Sequence, residues 1–234
     1  MSDYDIMNHF FGDDKPQEQP IGDTTPLTNV DELVLIVDRS GSMAQILDDA
    51  QGGIDQFIKE QKEAGEANLT LVEFDNQYNT VYERVPLALV PKYQLRPRGS
   101  TALLDAIGKT MNTYRDVDTT GKKIAVIVTD GQENSSIEWN RETVMKLVED
   151  LREEDWEFVF LAADESAIQD ATSWGMTMDS SIHYNSAQSG SSTAAYTAAA
   201  VYTTSLRSGK SRVDSMADMD AFVEDNATLK KLDK

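Results

Sequence analysis

The stretch Leu33-Val34-Leu35-Ile36-Val37-Asp38-Arg39-Ser40-Gly41-Ser42 decides how this chain reads. Its apolar opening, Leu33–Val37, is rich in Val, Ile and Leu, as a buried parallel strand is. That strand then ends in an acid, two hydroxyls at two-residue spacing and a glycine that lets the backbone turn. Ligands of open α/β sheets gather beyond the carboxyl ends of the strands. An acid and two hydroxyls are hard oxygen donors, which suit Mg²⁺, Mn²⁺ or Ca²⁺ rather than zinc or copper. Asp and Ser are also ordinary turn residues, so D-x-S-x-S by itself is a weak signal.

Two later segments strengthen it. Gly99-Ser100-Thr101 precedes the helical pattern Ala102-Leu103-Leu104-Asp105-Ala106-Ile107. Thr129-Asp130-Gly131 follows the apolar run Ile124–Val128, so a second strand ends in an acid followed by glycine. Three loops at one rim of a sheet can place Asp38, Ser40, Ser42, Thr101 and Asp130 around one cation.

In these motifs the chain resembles a von Willebrand factor type A (VWA) domain, and the five residues match that family's metal-ion-dependent adhesion site. The resemblance spans roughly Asp31 to Arg207. The relatives nearest in style are short bacterial and phage proteins with segments like Arg39–Met43 and Phe158–Leu161. The resemblance implies that the hydroxyls touch Mg²⁺ (or Mn²⁺, more loosely Ca²⁺) and that the acids act through water. It also implies that an Asp or Glu of a protein partner fills the open position. Each residue has a local alternative. Ser40, Ser42 and Thr101 can cap helices, and Asp130 can form a turn with Gly131. Glu133 reads first as an exposed loop acid and second as one that supports or tunes the rim, and Asp75 as a turn residue at a strand end, with support of the rim as the lesser alternative.

The 234 residues suffice for one substantial α/β domain with tails, and 40% hydrophobic residues are consistent with a packed core. The absence of cysteine rules out disulfides, zinc–thiolate sites and thiol catalysis. A net charge of −20 disfavours nucleic acid and anionic membrane as partners. No basic-then-apolar leader opens the sequence, and no apolar run has the length of a membrane span. A cytoplasmic location is expected, or a virion-associated one for a phage protein.

Strand and helix patterns alternate, which predicts a three-layer, Rossmann-like, doubly wound sheet. The sheet is expected to be mostly parallel, with one antiparallel edge strand at Tyr78–Val85 and helices on both faces. Helical stripes run over Met43–Gly65, the segment after Thr101, the segment after Asn140, and Ser189–Leu206. A short helix is expected at Glu165–Trp174 and a last strand at Ile182–Tyr184. The domain is expected over residues 29–208, after an acidic extended arm (1–28) and before a polar tail (209–234). Ile6-Met7 and Phe10-Phe11 in the arm, and Met216, Met219, Phe222 and Val223 in the tail, have helical spacing suited to docking.

The leading functional expectation is a non-enzymatic module that binds a protein partner through its cation. A structural subunit of a phage or bacterial assembly, joined through its termini, is a second reading. A metal-dependent hydrolase is a third, weakened by the lack of a base: His9 and His183 are both far in sequence from the motif loops.

Overall fold

The computed structural model describes residues 25–163, 181–226 and 229–230. The apolar run of the opening stretch forms β1 (Asp31–Asp38), central in the sheet and flanked on both sides by parallel partners. Side chains alternate across a strand. Leu33, Leu35 and Val37 therefore enter one core, and Val34 and Ile36 the other. A strand buried on both faces has to be apolar at every position, which is why the run does not alternate with polar residues.

Along the chain β1 is followed by a 3₁₀ turn (Gly41–Ile46), α1 (Leu47–Ala64), β2 (Ala67–Phe74) and β3 (Tyr78–Pro86). Then come α2 (Leu103–Tyr114), β4 (Lys123–Thr129), α3 (Arg141–Glu153), β5 (Trp156–Ala162) and β6 (Ser181–Tyr184). The described chain closes with α4 (Ser191–Arg207), α5 (Arg212–Asp225) and the two-residue β7 (Leu229–Lys230). The sheet order is β3-β2-β1-β4-β5-β6-β7. All pairings are parallel except β3 on β2 and β7 on β6, at the two edges. The mostly parallel, doubly wound sheet with an antiparallel β3 edge is the expected one. The chain also adds the short β7 at the far edge.

Helices α1, α4 and α5 cover one face, and α2 and α3 the other. Helix α4 is rich in alanine because it lies close against α1. Gly53 of α1 sits against the ring of Tyr196, and a Cβ at Gly53 would come within 2.3 Å of that ring. Gly53→Ala gains about 1 kcal/mol of helix propensity but overpacks a fully buried tyrosine, and overpacking costs ~1–3 kcal/mol. The variant is expected to be less stable than wild type in urea unfolding. Equal or greater stability would show that α4 can move away from α1 without loss.

Helix α3 opens on a reciprocal cap between Asn140 and Thr143. Helix α5 departs from the expectation of a polar tail available to a partner. Met219 and Val223 are buried in the same core as α4, and Ser205 and Lys210 both reach Asp218. Only part of α5 is apolar, so its pattern in sequence is that of a surface segment, and the flank of α4 gives it a place to dock. The helix expected at Glu165–Trp174 and the apolar spacing at Ile6–Phe11 lie outside the described residues. Among the described residues no helix is long and apolar enough to cross a membrane.

Candidate metal centre

Strand order reverses between β1 and β4: β2 lies beyond β1 in one direction, and β5 beyond β4 in the other. Such a switch point opens a crevice at the carboxyl ends of the strands. Val37 pairs with Val128, so Asp38 and the Thr129-Asp130 step leave the sheet side by side.

Thr129 Oγ1 donates to Asp38 Oδ2 at 2.6 Å, and the Ser40 amide donates to Asp38 Oδ1, also at 2.6 Å. The Ser40 and Ser42 hydroxyls lie 3.0 Å apart, and Ser42 Oγ donates to Asp130 Oδ1 at 2.7 Å. Gly131 passes beside the second loop: a methyl group built on it would stand 3.7 Å from both the Ser42 and the Thr101 hydroxyls. The structure thus brings Asp38, Ser40, Ser42, Thr101 and Asp130 to one rim. Asp38, Ser40 and Thr101 are buried, Asp130 is half-buried, and Ser42 is exposed at the mouth.

Helix capping does not explain the hydroxyls. No side-chain cap closes the 3₁₀ turn after Ser40, α1 or α2. Instead the loops are tied to one another. The Gly41 amide donates to Gly99 O at 3.1 Å, and the Arg98 amide to Arg39 O at 2.7 Å. Gly99 turns the second loop with φ +72°, a left-handed conformation suited to glycine, and a Cβ there would collide with Asn76. The second loop meets the third where Thr101 O accepts the Asn134 and Ser135 amides, and Asn134 Oδ1 accepts the Thr101 amide.

The electrostatics are unbalanced. Burial pushes the Asp38 carboxyl up to about 7, despite the hydrogen bonds from Thr129 and Ser40, and the neighbouring Asp130 carboxylate adds to the rise. Asp130 is raised as well, by burial, with Ser42 opposing. Arg39, next in sequence, turns away from both and pairs with Glu73 and Asp75. Two adjoining carboxylates therefore share only hydroxyl and amide donors, a setting that favours a cation.

Two acids do more than they read as in sequence, and a third was not singled out there. Glu133 is a loop brace: it accepts the Leu104, Ser135 and Ser136 amides and the Ser136 hydroxyl, and so joins the third loop to the start of α2. Asp75 makes the expected turn, accepting the Gln77 amide at 2.6 Å, but is also fully buried and pairs with both Arg39 and Arg98. Asp105, not singled out in the sequence, accepts the Ile137, Glu138 and Trp139 amides. Its signal was an acid on an otherwise apolar helix face. Burial raises the Asp105 carboxyl, but the three amides outweigh it and hold it below its usual range.

A carboxyl lowered in this way adds stability above its unfolded value, and that contribution is lost as pH falls through the folded one. Asp105→Asn is accordingly expected to cost about 1–3 kcal/mol at neutral pH and less below pH ~4. Urea unfolding at the two pH values tests this, and a cost independent of pH would contradict it.

No protein-family model matches the sequence, and no curated protein is similar to it. The fold recurs among solved structures. Proximal thread matrix protein 1 of the mussel byssus matches with a TM-score of 0.57 at 13% identity, over 77% of this chain and 46% of that one. The open form of the pilus adhesin SpaC of Lactobacillus rhamnosus GG gives 0.56 at 15% identity, over 79% and 31%. The manganese-loaded TRAP protein of Plasmodium vivax gives 0.50 at 12% identity, over 70% and 72%. The chain spans less than half the length of the first two. It has the fold of a VWA domain.

Proposed function

We propose that the chain is a non-enzymatic protein-interaction module whose three-loop rim holds a divalent cation, Mg²⁺ first and Mn²⁺ or Ca²⁺ as alternatives. Ser40, Ser42 and Thr101 would supply hydroxyl oxygens, and Asp38 and Asp130 most of the compensating charge. When bound, the cation offers an electrophilic position to a carboxylate, and the partner side chain is an Asp or Glu. The observation that carries this reading is the convergence of two carboxylates and three hydroxyls at the switch point without a basic side chain among them.

The donor chemistry supports it. Among the described residues no three His, Cys, Asp or Glu side chains are grouped to hold a metal. A cation at this rim therefore depends on the hydroxyls, and oxygen-only sets suit Mg²⁺, Mn²⁺ and Ca²⁺. Thr129 and the Ser40 amide orient Asp38, while Glu133 and Asn134 hold the third loop against the second. The likeness in fold to a manganese-loaded protein and to an adhesin agrees with this reading. Binding of this kind needs no general base. His183, the histidine among the described residues, is engaged with Ala163 O at 3.0 Å.

Calorimetric titration of EDTA-stripped protein tests the cation. Saturable one-to-one binding of Mg²⁺ or Mn²⁺ is expected, with loss in Ser42→Ala combined with Thr101→Ala. Capture of acidic peptides by immobilised protein, with and without EDTA, tests the partner chemistry. Capture that persists in EDTA would overturn the proposal.

A further inference from the structure

Two adjoining hollows, of about 330 and 470 Å³, run between α1 and the extended segment 90–95, and Lys92 and Tyr93 line both. Together they form one groove that follows α1 from Leu47 to Lys62, roughly 22 Å at the helical rise. The groove is preformed. The Gln51 side chain donates to Tyr93 O at 3.0 Å and accepts the Leu95 amide at 2.8 Å, while Lys62 Nζ donates to Val90 O at 2.9 Å.

Its charge runs against that of the whole molecule. On a chain of net charge −20, one end of this groove gathers Lys59, Lys62 and Lys92. Lys59 pairs with Glu63 at 4.0 Å and Lys92 with Asp55 at 3.3 Å, and both lysines are largely exposed. Exposed pairs of this kind contribute little, so a competing carboxylate displaces them readily.

The sequence holds a segment of matching chemistry. Residues 1–24 carry Asp3, Asp5, Asp13, Asp14, Glu18 and Asp23 against a single Lys15, with Ile6, Met7, Phe10 and Phe11 between the first acids and the next. The chain joins the domain close to the basic end of the groove. Leu27 is held by the Asn68 side chain through its amide and its carbonyl, Asn68 pairs with Pro86 across β2 and β3, and Val90 follows four residues after Pro86. From Leu27 back to Phe11 the chain can span up to ~50 Å when extended, more than the groove requires.

We propose that the N-terminal segment 1–24 docks on its own domain in this groove, with its acids on Lys59, Lys62 and Lys92 and its apolar residues over Pro91, which is exposed in the groove wall. Of the groove's basic residues, Lys59 and Lys62 lie on the C-terminal half of α1, whereas the Ser40–Ser42 loop leads into its N-terminal end.

Zero-length carbodiimide cross-linking of the full chain tests this, using mixed isotope-labelled and unlabelled protein. Links from Asp3, Asp5, Asp13 or Asp14 to the three lysines, within one chain, are expected at low salt and should decline at high salt. Links confined to Asp55 and Glu63, or formed only between chains, would overturn the proposal. Amide exchange gives a second readout. Exchange of residues 1–24 is expected to be slowed by roughly tenfold or more against the free peptide. That slowing should be lost in Lys59→Glu combined with Lys92→Glu, two exposed positions whose reversal leaves the core intact. Free-peptide rates in wild type, or slowing that survives the double reversal, would refute it.

Discussion

Asp38→Asn is expected to reverse the order of stability between metal-stripped and metal-loaded protein. In EDTA at pH 8 the variant should be at least as stable as wild type, because wild type must hold a buried carboxylate charged beside Asp130. The folded value of Asp38, about 7, lies above the unfolded one of 3.8, so the native state binds the proton more tightly. Stability of the stripped protein therefore falls as pH rises from 3.8 to about 7, through the action of this group, and levels off above. Asn keeps an oxygen for the Ser40 amide, and the Thr129 hydroxyl can accept from the new amide.

With Mg²⁺ or Mn²⁺ the ranking should invert. A ligand at a hundred times its Kd adds ~2.7 kcal/mol, or about 5–10 °C in Tm for a chain of this size. Wild type should gain that and Asp38→Asn almost none. The gain in wild type should also shrink below pH ~7, where protons compete with the cation for Asp38. Thermal unfolding of both proteins, with metal and with EDTA at pH 5.5 and 8, measures all of this. Equal metal-induced shifts in the two proteins would remove Asp38 from the site. A variant much less stable than wild type in EDTA would mean that the hydrogen bonds to the carboxylate outweigh its burial.

Arg39→Leu is expected to cost about 3–5 kcal/mol, because it leaves buried carboxylates without their cation. Arg39 pairs with Glu73 at 2.5 Å and with Asp75 at 3.0 Å. Its own side chain is 11% exposed, against 10% for Glu73 and none for Asp75. Arg98 still reaches Asp75 at 2.6 Å, and Tyr93 and Asn79 still donate to Glu73, so the greater damage falls on Glu73. Adding Glu73→Gln should recover part of the loss by removing the stranded charge. Chemical unfolding of the single and double variants measures the coupling. A single-variant cost under 1 kcal/mol would show that the remaining donors suffice. Cation binding by Arg39→Leu, measured while it is still folded, separates this brace from the metal rim, since the Arg39 side chain faces Glu73 and Asp75 and not Asp38.

Much of the architecture was legible because it rests on local patterns. Leu33–Val37, Ile124–Val128 and Phe158–Leu161 are apolar without interruption, and such runs need a sheet covered on both faces. The helical stripe starting at Met43 was legible too, although its first turn is wound as 3₁₀ up to Ile46, next to the Ser40–Ser42 loop. Sequence also picked out the five rim residues, since each stands at a strand end or loop where its chemistry is visible in the nearest neighbours.

The tertiary structure decided what those neighbours cannot encode. Whether Ser40 and Thr101 cap helices or face a rim depends on loops that approach from distant parts of the chain. The same holds for Glu133, which reads as a loose loop acid until the start of α2 supplies an amide for it, and for Asp105, whose partners lie more than thirty residues away. Helix α5 reads as a polar tail until the flank of α4 gives Met219 and Val223 a place to be buried. Strand and helix identity follow from periodicity along the chain. Burial of a charge, and the pairing that relieves it, depend on which surfaces meet, and only the folded chain determines that.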